Sequence, residues 1–297
     1  MAVDLRQVRY LAAIAEHGGF TRAAEVLHLS QPTLSQQVRK LEVTLGADLL
    51  DRTGRRVRLT DAGSAFLERA RVGLREVEAA ERAIADVSDL SRGELRLGVT
   101  PTFGDGALAA PLGDFSALAP AVRVSVAVGP QAALEERLLD DDLDLVIGFA
   151  GPHAQGIVST VLHAEELHLA IRVDRRGPTG DVDATWLTEQ RFALLPPSFA
   201  TRAHIDGAFE ALGVTATVTV ESESIGMLAH LVQRTDLATV LPEHSITQLS
   251  GLRSIGRIAG RDVVAMHRDG AYTSAAATAF RKLLNSWKPV PIVDQMH

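Results

Sequence analysis

No cysteine occurs among the 297 residues. That removes thiol redox sensing and thiolate metal sites from consideration, and it fits a reducing cytosol. No apolar run approaches the ~18 residues of a membrane span. The N-terminus breaks its apolar residues with Asp4 and Arg6, which is not a secretory pattern. A cytoplasmic protein without membrane contact is expected. A G-x-S-x-G elbow is also missing, as is any Ser, His and Asp grouping that local spacing supports, so no enzyme is expected. Positive charge is scarce overall. The net value of −7 argues against a polyanionic partner until the chain is divided. Residues 1–60 hold nine Lys/Arg against six Asp/Glu, whereas residues 61–297 hold 21 against 31. The positive charge is confined to the start of the chain, and the acidic remainder resists random adsorption to nucleic acid.

Cofactor motifs are also wanting. Gly104-Asp105-Gly106-Ala107-Leu108-Ala109 scans as a dinucleotide fingerprint. Thr100-Pro101-Thr102-Phe103 separates it from its strand, however, and the next strand ends at Val128-Gly129 instead of an acid. Asp140, Asp141, Asp142 and Asp144 straddle a helix end and a turn, where a solvated role is the plain reading. The histidines are scattered, and His163 and His168, five apart in a strand-like stretch, point to opposite faces. Neither a metal nor a cofactor is expected.

What the sequence does contain begins at residues 20–45, FTRAAEVLHLSQPTLSQQVRKLEVTL. Two short helices meet there at a sharp turn. Ala23, Ala24 and Leu27 line one face of the first. Ser30 is suited to cap the second, and Pro32 falls in its first turn, where a missing N–H costs little. Leu34, Val38, Leu41 and Leu45 form an inward stripe at helical spacing. Gln31, Thr33, Ser35, Gln36, Arg39 and Lys40 occupy the opposite face, as groups suited to base edges and phosphates. The pattern is a helix-turn-helix, with an ordinary core helix pair as the plain alternative. A preceding helix spans 4–17, stopped by Gly18-Gly19. Residues 49–60 read as a two-stranded wing with Arg52, Arg55, Arg56 and Arg58 near its tip, where arginines suit phosphates or a minor groove.

Residues 60–90 read as one long helix. Phe66, Ala70, Gly73, Val77, Ala80, Ile84 and Val87 recur every 4 and 3 residues, the seam of a coiled coil. A dimerisation and linker helix is expected, with simple packing on its own domain as the alternative. From residue 94 short apolar strands alternate with helices: strands at 94–100, 122–128 and 142–149, helices near 105–119 and at 131–140. A second set follows from about residue 165: strands at 166–173, 191–196, 215–221, 237–242 and 261–268, helices at 202–212, 224–235 and 273–287. Two open α/β lobes should hold a ligand between them, beyond the C-terminal strand ends.

The fold class is therefore α plus α/β: an N-terminal winged helix-turn-helix, a long linker helix and a two-lobed α/β module. The expected domains are 1–60 for DNA binding, 61–91 for linker and dimerisation, and 92–297 for the module. Lobe I takes about 92–163 and 268–297, and lobe II about 164–267. In this order, and in FTRAAEVLHLSQPTLSQQVRKLEVTLGADLLDRTGRRVRLTDAG over 20–63, the chain resembles the LysR-type transcriptional regulators over essentially its full length. RGELRLGVTPTF (92–103), SFATRAHID (198–206), ESESIGMLAHLVQRTDLATVLP (221–242) and SGLRSI (250–255) resemble the cyanate-operon activators within that family.

The resemblance implies an effector module of the periplasmic-binding-protein type. It also implies a homodimer or homotetramer on double-stranded DNA, a small-molecule effector in the cleft, and RNA polymerase as a further partner. Carried onto this chain, it makes Gln31, Pro32, Thr33, Ser35 and Gln36 the base-contacting residues. Arg22, Arg39, Arg52, Arg55 and Arg56 become phosphate contacts. The family commonly has a small residue where Thr33 stands. The same resemblance makes Thr100, Thr102, Gln131, Phe149, Phe199, Thr201 and Ser224 the cleft lining, with Arg202 as the positive charge for a small anion such as cyanate or a carboxylate. For each of these the plain alternative is structural capping.

Overall fold

A computed structural model describes residues 3–54, 56–85, 90, 92–104, 106–178 and 182–287, without the side chains of residues 81, 82 and 85. Arg55 and Val87, both singled out in the sequence, lie outside the described residues. Contacts divide the chain into two compact units, Met1–Ile84 and Ala85–His297.

The first unit holds α1 (Leu5–His17), α2 (Phe20–Val26), α3 (Gln31–Leu45), β1 (Leu50–Asp51), β2 (Arg58–Leu59) and the start of α4 (Asp61–Ala85). Its boundaries follow from local chemistry. The Asp4 carboxylate accepts from the Arg6 N–H, and Gln7 completes a capping box at α1. The Ser30 hydroxyl accepts from the Thr33 N–H at 3.3 Å. Gly18 and Gly46 close α1 and α3 with φ of 66° and 68°, the left-handed turn that glycine adopts without strain. Val8, Leu11 and Ile14 of α1 meet Ala23, Ala24, Leu34, Val38 and Leu41 in one core. Leu67 and Leu74 of α4 join it. A Cβ on Gly63 would lie 2.1 Å from the Leu49 carbonyl oxygen, so glycine is what lets the first turn of α4 approach the wing. Further along α4, Gly73, Val77, Ala80 and Ile84 are exposed, Ile84 at 73%.

The second unit follows as β3 (Gly93–Val99), α5 (Pro101–Gly104), α6 (Ala109–Leu118), β4 (Val122–Val128), α7 (Gln131–Leu139), β5 (Leu145–Phe149) and β6 (Ile157–Arg172). Then come α8 (Ala184–Thr188), β7 (Arg191–Leu194), α9 (Ala200–Ala211), β8 (Thr217–Glu221), α10 (Ile225–Arg234) and β9 (Thr239–Pro242). The last elements are α11 (Glu243–Gln248), β10 (Leu252–Arg268) and α12 (Ala275–Ser286). One sheet runs in the order β4-β3-β5-β10-β6-β9. β3 pairs in parallel with β4 and β5; β10 runs antiparallel to β5 and β6, and β6 antiparallel to β9. β7 and β8 pair in parallel, and a bridge from Phe192 to Ala238 ties β7 to the residue just before β9.

Three features depart from the pattern read in the sequence. The stretch Pro101–Gly104, expected as a loop before a helix at 105, is itself a helical turn, and the following helix starts at Ala109. The two lobes are not separate parallel sheets. β6 and β10 are 16 and 17 residues long and pair along their lengths, with bulges between Ser254 and Gly256, Arg257 and Ala259, and Val263 and Val264. The expected strands at 166–173 and 261–268 are only the most apolar stretches of these ribbons. In lobe I, Leu95, Leu97, Val99, Phe115, Ile147 and Phe280 fill one face of the sheet, while Leu134, Leu138, Val146, Val264 and Met266 fill the other. Lobe II is likewise filled on both faces, by Phe199, Ile225, Leu228 and Ile246 on one and Leu169, Phe192, Ile205 and Phe209 on the other.

Candidate functional site

The first candidate surface is the outer face of α3. Leu34, Val38 and Leu41 anchor it inward, which turns Gln31, Pro32, Thr33, Gln36, Arg39 and Lys40 to solvent, with Ser35 half-buried. The Thr33 hydroxyl lies 2.7 Å from Ser30 Oγ, so the cap and the first outward hydroxyl share one hydrogen bond. Arg22 and Arg56 are also exposed, and neither they nor Arg39 make an ion pair among the described residues. Arg52 differs from this group. Its Nη2 sits 2.7 Å from the carboxylate of buried Glu42, and its guanidinium lies over the Phe20 ring. Glu42 also accepts from the Leu49 and Leu50 N–H groups at 3.0 and 3.2 Å. Arg52 therefore neutralises the Glu42 carboxylate, which fixes the wing to α3, a structural task the tip spacing did not reveal. The wing turn is pinned by Asp51, which accepts from the Thr53 hydroxyl and N–H; these bonds hold its carboxyl below the ordinary value.

The second candidate lies at the junction of the two lobes, around Arg261 of β10. Its side chain is 1% exposed. Nε donates to Glu165 of β6 at 2.7 Å, Nη1 to the Thr201 hydroxyl at 2.8 Å and Nη2 to the Thr102 hydroxyl at 3.0 Å. The Phe149 ring lies flat beneath, its centroid 3.4 Å from the guanidinium carbon. One guanidinium thus ties α5 of lobe I to α9 of lobe II. Burial pulls Arg261 below its ordinary basicity, and the Glu165 charge works against that pull. His244, the second residue of α11, brings Nδ1 to 3.6 Å from Glu165 and hydrogen-bonds the Thr102 backbone. Burial lowers its basicity, as it does that of His163, so both imidazoles are neutral near pH 7.

Three of the eight residues expected in the cleft therefore converge: Thr102, Phe149 and Thr201. Thr100 follows directly on β3, with its hydroxyl buried and unpartnered among the described residues. Gln131 brackets Phe149 from behind, accepting from its N–H at 2.9 Å and donating to its carbonyl at 3.1 Å. Phe199 is a core residue at the start of α9. The Ser224 hydroxyl caps α10 by accepting from Met227. Arg202 is not the cation of the junction. It binds Asp206, Glu221 and the Leu195 carbonyl, and although burial opposes its charge, those two carboxylates raise its basicity overall. The cation the sequence reading missed is Arg261. It stands at the start of an apolar stretch, RDVVAMHR, whose pattern marks only a strand.

Two family models cover the chain. "Bacterial regulatory helix-turn-helix protein, lysR family" matches residues 5–64, and "LysR substrate binding domain" matches residues 88–288. The nitrogen assimilation regulatory protein nac of Klebsiella aerogenes is 35% identical over 250 residues, 84% of this chain and 81% of that protein. The DNA-binding transcriptional dual regulator OxyR of Escherichia coli is 31% identical over 242 residues, 81% and 79% of the two chains. Among solved structures, full-length CbnR complexed with its target DNA superposes with a TM-score of 0.64 at 26% identity, over 95% of this chain and 99% of that one.

Proposed function

Because the chain belongs to the LysR family of DNA-binding transcriptional regulators, which carry an effector-binding α/β domain and are not enzymes, we propose that it reads an operator through α3 and responds to a small anion at the lobe junction. Gln31, Pro32, Thr33, Ser35 and Gln36 contact base edges, with glutamine the natural two-point reader of adenine. Arg22, Arg39, Arg55 and Arg56 hold phosphates. The exposed seam of α4 pairs with a second copy, giving a homodimer or, where dimers pair again, a homotetramer. RNA polymerase is the partner that answers the change on DNA. A chain without cysteine has no thiol through which to sense an oxidant.

One observation carries the ligand half of this reading. Arg261 is a buried cation held by hydroxyls from both lobes, and among the described residues its one ion-pair partner is Glu165, a carboxylate on the neighbouring strand. A small carboxylate or cyanate would compete with Glu165 for the guanidinium, with the Thr102 and Thr201 hydroxyls beside it. We assign the chain to the cyanate-operon activator subgroup on its segments at 92–103, 198–206, 221–242 and 250–255. DNase footprinting with the purified protein tests the DNA half, and a protected stretch with two half-sites is expected. Calorimetric titration with cyanate, small carboxylates and neutral analogues tests the other half. Binding confined to neutral or cationic compounds would overturn it.

A further inference from the structure

The pairing of β6 with β9 brings together three metal-ligating side chains that are far apart in the sequence. Leu167 pairs with Pro242 in an antiparallel ladder, so the next position along sets Glu166 beside Glu243, the first residue of α11. His168 lies two residues from Glu166, on the same face of β6. The ligand atoms of Glu166, His168 and Glu243 all lie within 4.8 Å of one another. His168 Nε2 is 3.3 Å from Glu166 Oε2. Two ligands of a tetrahedral zinc ion, each about 2.0–2.1 Å from the metal, stand roughly 3.3 Å apart.

Neighbouring side chains orient two of the three ligands. His168 Nδ1 is 2.9 Å from Ser254 Oγ, a contact that fixes the ring and directs Nε2 toward the carboxylates. Arg257 engages the other oxygen of Glu166, Oε1, at 3.1 Å and leaves Oε2 facing the imidazole. Glu166 and Glu243 are exposed, so an ion has an entry path, while the His168 side chain is only 13% exposed.

We propose that Glu166, His168 and Glu243 bind one divalent first-row transition ion, of which zinc is the representative, with water completing its coordination. An imidazole with two carboxylates selects this class over magnesium or calcium, which take oxygen donors. The site ties α11 to β6 one residue away from the lobe junction on each element, since Glu165 holds Arg261 and His244 meets Thr102. The metal therefore locks in place the two elements that carry the junction. This site stands whether or not an anion binds at Arg261.

The test uses the full chain, free of any affinity tag and stripped with a chelator. Titration with zinc chloride by calorimetry, and with cobalt(II) by visible absorption, should show one saturable site per chain. His168→Ala and Glu243→Gln should each weaken binding at least tenfold, and Ser254→Ala should weaken it by roughly tenfold. Zinc should also raise the melting temperature of the unaltered chain and not that of Glu243→Gln. His230→Ala removes an exposed histidine far along the sequence from these ligands and should change nothing. Glu243 is exposed at a helix start, so its variant folds even if His168→Ala does not. Absence of saturable binding, or binding that survives Glu243→Gln unchanged, would overturn the assignment.

Discussion

Arg261 and Glu165 are 1% and 4% exposed, so their worth to the fold shows when one is removed without the other. Glu165→Gln leaves a buried guanidinium without its counter-charge and should cost roughly 3–5 kcal/mol in urea unfolding. Arg261→Met together with Glu165→Leu should be less damaging than Glu165→Gln alone, because no buried charge is then left unpaired. A second prediction concerns protons. Burial lowers the basicity of His163, against the pull of Glu165, and that of His267, where Arg281 adds to the effect. Both are neutral in the folded chain. The unfolded chain therefore binds more protons below about pH 6.5, and stability rises with pH through that window and falls as acid is added. The urea midpoint should drop between pH 7 and pH 5, and His267→Gln should make the drop smaller. At this scale the sequence was partly informative. The junction hydroxyls of Thr102 and Thr201 were reached through family resemblance, but Arg261 was not, because its partner lies 96 residues away and no local pattern marks a buried ion pair.

At the scale of elements, α3 was the most legible part of the chain. Its cap, first-turn proline, apolar stripe and closing glycine agree with one another, and the structure begins and ends the helix where those residues require. The outward side chains then separate by chemistry. Gln31→Ala should relax base preference at one operator position, at about 1–3 kcal/mol, leaving the salt dependence intact. Arg56→Ala should weaken all sequences alike and reduce the slope of log affinity against log salt by about one. Gel shifts across a salt series distinguish the two. Elements that were missed are short. α5 has 4 residues, α8 has 5 and α11 has 6, too few for a helical period to show. α11 is the costliest omission, since it brings Glu243 and His244 to their partners. His168 was set aside in the sequence because His163, five residues away, points to the opposite face; Glu243 arrives only through the β6–β9 ladder.

For the whole molecule, the long helix has two stripes with different tasks. Leu67 and Leu74 are buried in the first unit, while Val77 and Ile84 are 38% and 73% exposed. In the proposed dimer this open heptad seam is what the second chain covers. Val77→Glu should shift the protein toward monomer in sedimentation equilibrium and lower operator affinity, because single half-sites bind weakly, without changing the unfolding of the first unit. The two-lobed outline was legible from alternating strands and helices. The shared ribbons were not, since β6 and β10 owe their length to pairing with each other, through polar stretches such as Arg253–Arg257 that look like loop in isolation.

Those ribbons have a mechanical consequence. Two lobes joined by loose linkers swing freely, and closing costs little beyond entropy. Here the backbone itself crosses between the lobes as a pair of hydrogen-bonded strands, so any change in their angle must flex a leaf spring. The spring is softest at its three irregular steps, and Arg261 is set between two of them. A molecule that grips that arginine differently would alter the resting bend of the spring, converting an ångström-sized chemical event into a rotation of a whole lobe.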